Sequence, residues 1–331
     1  MSDFSIPQRP RRNRKSAAIR SAIAETYLGT EHLLYPLFAL DGKEKKEEIG
    51  SMPGIFRLSE DGILREIEES MNLGIRLFAL FPAVEDSLKD STASYSWAKN
   101  NFYCRILKAI KTRFPEAALM TDVAMDPYSS DGHDGFVQDG RINNDKTLPI
   151  LAKMALAQAE AGADILGPSD MMDGRVGYLR DALDENGFSE VSIMSYTAKY
   201  ASAFYGPFRD ALSSAPKFGD KKTYQMDFAN RKEARIEARL DEDEGADFLM
   251  VKPALAYLDV IQTLSQTSDL PIAAYQVSGE YAMIKAAAEK GWLNEERMMN
   301  ETLYAIRRAG ASIILSYFAK SYAQYRKANP F

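Results

Sequence analysis

One cysteine and two histidines in 331 residues leave little material for a sulfur- or imidazole-based centre. Cys104 cannot form a disulfide within the chain, and a zinc site built of cysteines is excluded by count. It lies in an amphipathic stretch, where it reads as a small buried hydrophobe. No segment offers 18 uninterrupted apolar residues, and the start Met1-Ser2-Asp3 carries no apolar leader. Neither membrane spanning nor export is expected, and a reducing cytoplasm fits. GxGxxG and Walker patterns are also missing, so dinucleotide and P-loop chemistry have no local support. With 41 basic against 47 acidic residues the net charge is −6, which argues against nucleic acid as the partner of the whole surface.

What is present begins with a charge contrast. Residues 4–24 contain no acidic residue but carry Arg9, Arg11, Arg12, Arg14, Lys15 and Arg20. Such an arm binds nucleic acid or wraps a neighbouring subunit of opposite charge. No aromatic residues are interleaved among the arginines for base stacking, which favours the subunit. Residues 1–30 are therefore expected to form an arm on a neighbouring copy, and residues 31–331 the catalytic unit.

From residue 32 onward short apolar runs alternate with helical periods. Strands are expected at residues 32–40, 75–81, 117–125, 163–169, 191–197, 248–253, 271–277 and 312–318. Helical periods lie between them, at 60–72, 95–114, 147–160, 231–244 and 294–308. Three junctions share a helix-stop glycine running into a strand: Ala161-Gly162-Ala163-Asp164, Glu244-Gly245-Ala246-Asp247 and Ala309-Gly310-Ala311-Ser312. Eight such units predict an α/β fold, a closed (β/α)8 barrel in preference to a doubly wound sheet. Length alone also admits two domains.

Function in a barrel gathers where the strands end. Those ends supply Asp122 and Asp126, Ser169 and Asp170, Tyr196 and Lys199, Lys252, Ser278, and Tyr317. Lys252 closes the run Phe248-Leu249-Met250-Val251, where burial would favour its neutral amine, the form that attacks a carbonyl. Taken alone, that residue reads equally as a lysine that snorkels to solvent or pairs with a carboxylate. Lys199 at the neighbouring strand end would depress it further. Residues 200–230, with Gly206-Pro207, Pro216 and Gly219-Asp220, are too long and irregular for a connection and read as a lid. Arg209, Lys221, Lys222 and Gln225 on it are candidates for holding carboxylates. Residues 122–139 are rich in oxygen donors and include His133. A hard cation suits them, but Gly and Asp in such a loop are first of all turn formers.

Taken together, these residues resemble porphobilinogen synthase, also called 5-aminolevulinate dehydratase. The likeness rests on Ser51-Met52-Pro53-Gly54, Gly167-Pro168-Ser169-Asp170-Met171-Met172-Asp173-Gly174-Arg175, Met194-Ser195-Tyr196-Thr197-Ala198-Lys199-Tyr200, Phe204-Tyr205-Gly206-Pro207-Phe208-Arg209, Tyr224-Gln225-Met226-Asp227 and Met250-Val251-Lys252-Pro253, and covers nearly the whole chain. It implies that two 5-aminolevulinate molecules condense asymmetrically to porphobilinogen, losing two waters. Position by position, it implies a Schiff base on Lys252 with the propionate-side substrate and a second role for Lys199, as Schiff base or proton donor. It further implies Asp122 beside the reacting groups, Ser278 and Tyr317 on the propionate-side carboxylate, and Arg209, Lys221 and Gln225 on the acetate-side one. Lys221 replaces an arginine of many relatives. Ala124, Asp126 and Asp134 stand where zinc-dependent members have cysteines, so no catalytic zinc is expected. The resemblance is to the magnesium-responsive branch, which implies Glu237 as an allosteric Mg2+ residue at a subunit interface and a homo-octamer. Without it, Glu237 reads as a solvated helix residue. An aldolase on the same barrel, needing one lysine, and an RNA-binding or scaffold protein using the arm are the alternatives the residues leave open.

Overall fold

A computed structural model describes residues 6–212 and 216–329. The expected strands are present as β1 (Leu33–Leu40), β2 (Leu77–Ala83), β3 (Ala118–Val123), β4 (Ile165–Pro168), β5 (Ser192–Lys199), β6 (Phe248–Lys252), β7 (Ile272–Gln276) and β8 (Ile313–Ser316). All neighbours are parallel, and Leu33 of β1 pairs with Ile314 of β8, so the sheet closes on itself. Every residue of β1, Leu-Leu-Tyr-Pro-Leu-Phe-Ala-Leu, is buried, as a strand covered on both faces requires.

Eight helices cover the barrel: α1 (Glu60–Met71), α2 (Phe102–Arg113), α3 (Asn144–Glu160), α4 (Arg175–Glu185), α5 (Glu233–Asp243), α6 (Leu258–Thr267), α7 (Glu295–Arg308) and α8 (Ala319–Ala328). Gly162, Gly245 and Gly310 follow α3, α5 and α7 at φ +100, +94 and +120, a region that only glycine enters cheaply. The helix-stop device read from the sequence is thus real. A further helix, Ser278–Glu289, begins directly beyond β7. Two differences bear on the site. The helical period at 95–114 breaks, because the Asn101 side chain accepts the Tyr103 N–H at 2.8 Å and starts α2 there. Strand β3 stops at Val123, which leaves Asp126 on the loop that follows.

Of the expected arm, the turn Pro10–Arg14 and the helix Ala17–Ala22 bury no residue in this chain. Residues 1–5 of that arm and 213–215 of the expected lid lie outside the described residues. Among the described residues no helix is long and apolar enough to cross a membrane.

Candidate active site

The geometry of the site starts with a register shift. Phe248 and Leu249 of β6 pair with Met194 and Ser195 of β5, but Val251 and Lys252 pair with Ala198 and Lys199. One extra residue in β5 is accommodated at Tyr196–Thr197. Side chains alternate faces along a strand, so without this bulge Lys199 would point away from Lys252. The bulge turns both lysines to one face at adjacent strand ends. They are buried, each 5% exposed.

Lys252 faces aromatic rings. Its Nζ lies 4.6 Å from the ring centre of Tyr275, 4.8 Å from Phe208, 5.1 Å from Tyr196 and 5.2 Å from Tyr205. No carboxylate of the described residues forms an ion pair with it. Burial comes first, and the charge of Lys199 second, in pushing its pKa from the ordinary 10.5 down to about 7. The paired lysine is thus the lesser cause, and the dry aromatic setting the greater.

Lys199 has a different environment. Its Nζ donates to the Ser169 carbonyl and lies 3.3 Å from Asp134 Oδ2. Asp134 also receives Lys221 Nζ on Oδ1 at 2.8 Å and Gln225 Nε2 on Oδ2 at 3.4 Å. Although burial opposes ionisation, Lys199 and Lys221 hold Asp134 well below the usual carboxylate range. Lys221 reaches Asp126 Oδ2 at 3.3 Å as well. An ammonium therefore lies between the two carboxylates that the sequence offered to a cation. Among the described residues no three His, Cys, Asp or Glu side chains converge as a metal site.

Asp122, on β3, is 6% exposed, and burial, then the charge of Asp126, pushes it up to about 7. Asp122 is thus pushed upward and Lys252 downward, both toward neutrality.

The expected carboxylate holders gather less uniformly. Tyr317 shares a 2.7 Å hydrogen bond with Tyr275, whose ring faces Lys252. Ser278 accepts the Phe208 N–H at 2.9 Å and donates to the Phe204 carbonyl at 3.3 Å, which ties the start of its helix to residues 204–208. Gly279 makes that contact possible, since a Cβ there would lie 2.5 Å from the Phe204 carbonyl oxygen. Tyr205 OH donates to the Lys252 carbonyl at 3.1 Å. Arg209, beside Phe208, is half-buried and forms no ion pair with a described residue. His133 lies with Nδ1 3.1 Å from Tyr224 OH and Nε2 3.1 Å from the Phe218 carbonyl.

Glu237 sits apart from the lysines on α5, on a cavity of about 870 Å3 shared with Asn144, Asp173, Asp227, Asn230 and Glu233. Burial is the main reason its carboxyl is pushed up to about 7, with Asp241, Asp173 and Glu233 adding to the rise and Arg175 opposing it.

Sequence reasoning missed three parts of this site. It treated Asp134 only as a metal candidate, and it assigned no role to the rings around Lys252. The third is Glu280, which is buried and accepts the Val277 and Leu255 N–H groups, each at 2.6 Å, stapling the loop after β6 to the end of β7. Its spacing from Val277 was the one available signal.

Residues 7–325 match the family described as Delta-aminolevulinic acid dehydratase. The chain belongs to that family. A delta-aminolevulinic acid dehydratase of Chlamydia pneumoniae is 53% identical over 319 residues, covering 96% of each chain. The chloroplastic enzyme of the moss Physcomitrium patens is 54% identical over 327 residues, covering 98% of this chain and 76% of its own. A crystal structure of the dehydratase from Toxoplasma gondii ME49, in complex with its reaction product porphobilinogen, superposes with a TM-score of 0.96 at 49% identity, covering 98% and 95% of the two chains. As a member of the delta-aminolevulinic acid dehydratase family, the chain is a lyase of porphyrin and haem biosynthesis that condenses 5-aminolevulinate to porphobilinogen.

Proposed function

We propose that this dehydratase works through Lys252 as the nucleophilic amine. The observation that carries the reading is the ring of Tyr275, Phe208, Tyr196 and Tyr205 around a buried lysine that forms no ion pair with a described residue. Neutral Lys252 attacks the ketone of the propionate-side substrate, and water leaves as the Schiff base forms. Asp122, whose carboxyl burial pushes up toward neutrality, gives and takes the protons of that step. Lys199, seated between Asp134 and the Ser169 carbonyl, serves the acetate-side substrate, as a second Schiff base or as proton donor. Two molecules of substrate lose two waters on closing the pyrrole, one at each ketone. Tyr317 and Ser278 hold the propionate-side carboxylate, while Arg209, Gln225 and Lys221 hold the other. For the latter two this means sharing donors with Asp134, so acetate-side binding loosens that cluster as it forms.

For Mg2+ the fitting residues are those around Glu237. Glu237, Asp173, Asp227 and Glu233 supply carboxylate oxygens to that cavity, and although burial is the main cause of the raised proton affinity of Glu237, Asp173 and Glu233 add to it, a share that a hydrated divalent cation would relieve. Glu237 and Asp173 would hold it, neutralising α5 from a distance without taking part in the bond-making steps. The turn Pro10–Arg14 and the helix Ala17–Ala22 of the arm bury no residue in this chain, which supports their packing on another copy in a homo-octamer. The cytoplasm is the proposed compartment, although plant relatives are chloroplastic.

Turnover of 5-aminolevulinate before and after chelation, with and without added Mg2+, tests these readings together. Lys252→Ala is expected to abolish porphobilinogen formation. Glu237→Ala is expected to abolish the Mg2+ response and Mg2+ binding by calorimetry while basal turnover persists. A fully active Lys252→Ala enzyme removes the nucleophile, and an undiminished Mg2+ response removes Glu237 from its role.

A further inference from the structure

Behind the lysine pair lies a buried polar cluster that the reaction does not touch. Arg175, in the first turn of α4, is 2% exposed, and Asp241, near the end of α5, is 1% exposed. The guanidinium Nη1 donates to Asp241 Oδ1 at 3.0 Å, and Nη2 donates to Ser195 Oγ at 2.9 Å. The Ser195 hydroxyl in turn donates to Asp241 Oδ2 at 2.6 Å. Nη2 also reaches the Tyr196 carbonyl at 3.5 Å. Desolvating such a pair is costly, and apolar residues of similar volume generally do as well or better for stability. Its placement offers a reason. Ser195 is the last residue of β5 still in the regular register with β6, and Tyr196 begins the bulge.

We propose that Arg175, Asp241 and Ser195 are positioning residues that hold the extra residue of β5 in place and so keep Lys199 turned toward Lys252. The proposal rests on the lysine chemistry given above. A bulge leaves backbone groups outside the ladder, and a one-residue slip would restore the pairing while swinging Lys199 to the opposite face. The cluster works against that slip from both sides. It grips the Ser195 side chain and the Tyr196 carbonyl, and it anchors them to two helices instead of to the neighbouring strand. The Tyr196 ring, one of those around Lys252, is fixed by the same contacts.

The consequence reaches Lys252 through charge. The groups acting on it are Lys199 from β5, Asp122 from β3, Asp126 and Asp134 from the loop after β3, and the rings of Tyr196, Tyr205, Phe208 and Tyr275. If the bulge relaxes, the Lys199 charge withdraws and Lys252 keeps its proton to higher pH. Burial remains, so the change is partial.

The test is single-turnover trapping of 5-aminolevulinate by borohydride at Lys252, followed by mass spectrometry across pH 5–9, in the full-length enzyme. Ser195→Ala removes the hydroxyl and leaves the ion pair. The double variant Arg175→Met with Asp241→Leu replaces the pair by apolar residues and guards against misfolding. Both are expected to unfold at temperatures near that of the wild type, yet to shift the trapping midpoint upward by about half a pH unit or more, a loss of about threefold or more in rate on the acid side. A fall in kcat larger than any change in KM is expected with it. Unchanged midpoints and kcat in both folded variants overturn the proposal and leave the cluster a purely structural one. Absence of a Lys252 adduct in the wild type at every pH instead overturns the lysine assignment on which it stands.

Discussion

Replacing Lys252 by methionine should abolish turnover and at the same time stabilise the protein. The side chains are similar in length, and the four rings that surround the Nζ offer an apolar thioether better company than an ammonium. A fall in pKa from 10.5 to about 7 corresponds to about 5 kcal/mol, at about 1.4 kcal/mol for each tenfold change in proton affinity. The sign follows from proton uptake. Between these two values the unfolded chain binds the proton and the folded chain does not, so wild-type stability rises with pH across that window. Below about pH 7 the full penalty is present, and above about 10.5 it is gone. Lys252→Met should therefore be more stable than the wild type by about 2–5 kcal/mol at pH 6–7, with the advantage shrinking as pH rises toward 10. Guanidinium unfolding at matched protein concentration, repeated across that range, measures it. A methionine variant less stable than the wild type at pH 6.5, or a difference that does not change with pH, would refute the claim that Lys252 is held neutral at a cost to folding.

Asp134→Asn should cost about 3–5 kcal/mol in chemical unfolding, because it leaves the buried Lys199 and Lys221 facing one another with half their anionic charge removed. Its kcat should fall more than tenfold, and a near-neutral effect would deny Asp134 its place in the site. Gly279→Ala should raise KM severalfold with a smaller change in kcat, since its Cβ would meet the Phe204 backbone and push residues 204–208 outward; steady-state kinetics decide this, and wild-type values would show that the contact is dispensable. The pH profile of kcat/KM should fall on the acid side with a midpoint near 7 as Lys252 gains its proton. A profile flat down to pH 5 would contradict it.

The barrel was legible because most strands are short, predominantly apolar runs and because Gly162, Gly245 and Gly310 mark helix ends with a conformation few other residues adopt. Lys252 was legible for a related reason, as a charge closing the apolar run of β6. The direction of Lys199 was not, because alternation along β5 says nothing of a bulge that exists only relative to β6. Nor was the part played by Asp134. Its partner Lys221 lies 87 residues further along the chain, and only the folded chain brings the two together. The ring of aromatics is scattered over β5, β7 and the segment after β5, so no local pattern announces it. Conversely, Glu237 had no distinguishing local sequence at all. Its half-buried setting beside Asp173 and Glu233 appears only once α5 is seated against the loop after β4.

The most direct test of the central claim is to reduce the enzyme with borohydride in the presence of 5-aminolevulinate and map the modified peptide. The predicted result is a reduced substrate adduct on Lys252 that is absent in Lys252→Met. A wild-type enzyme that turns over but is never labelled at Lys252, or is labelled only at Lys199, would contradict it.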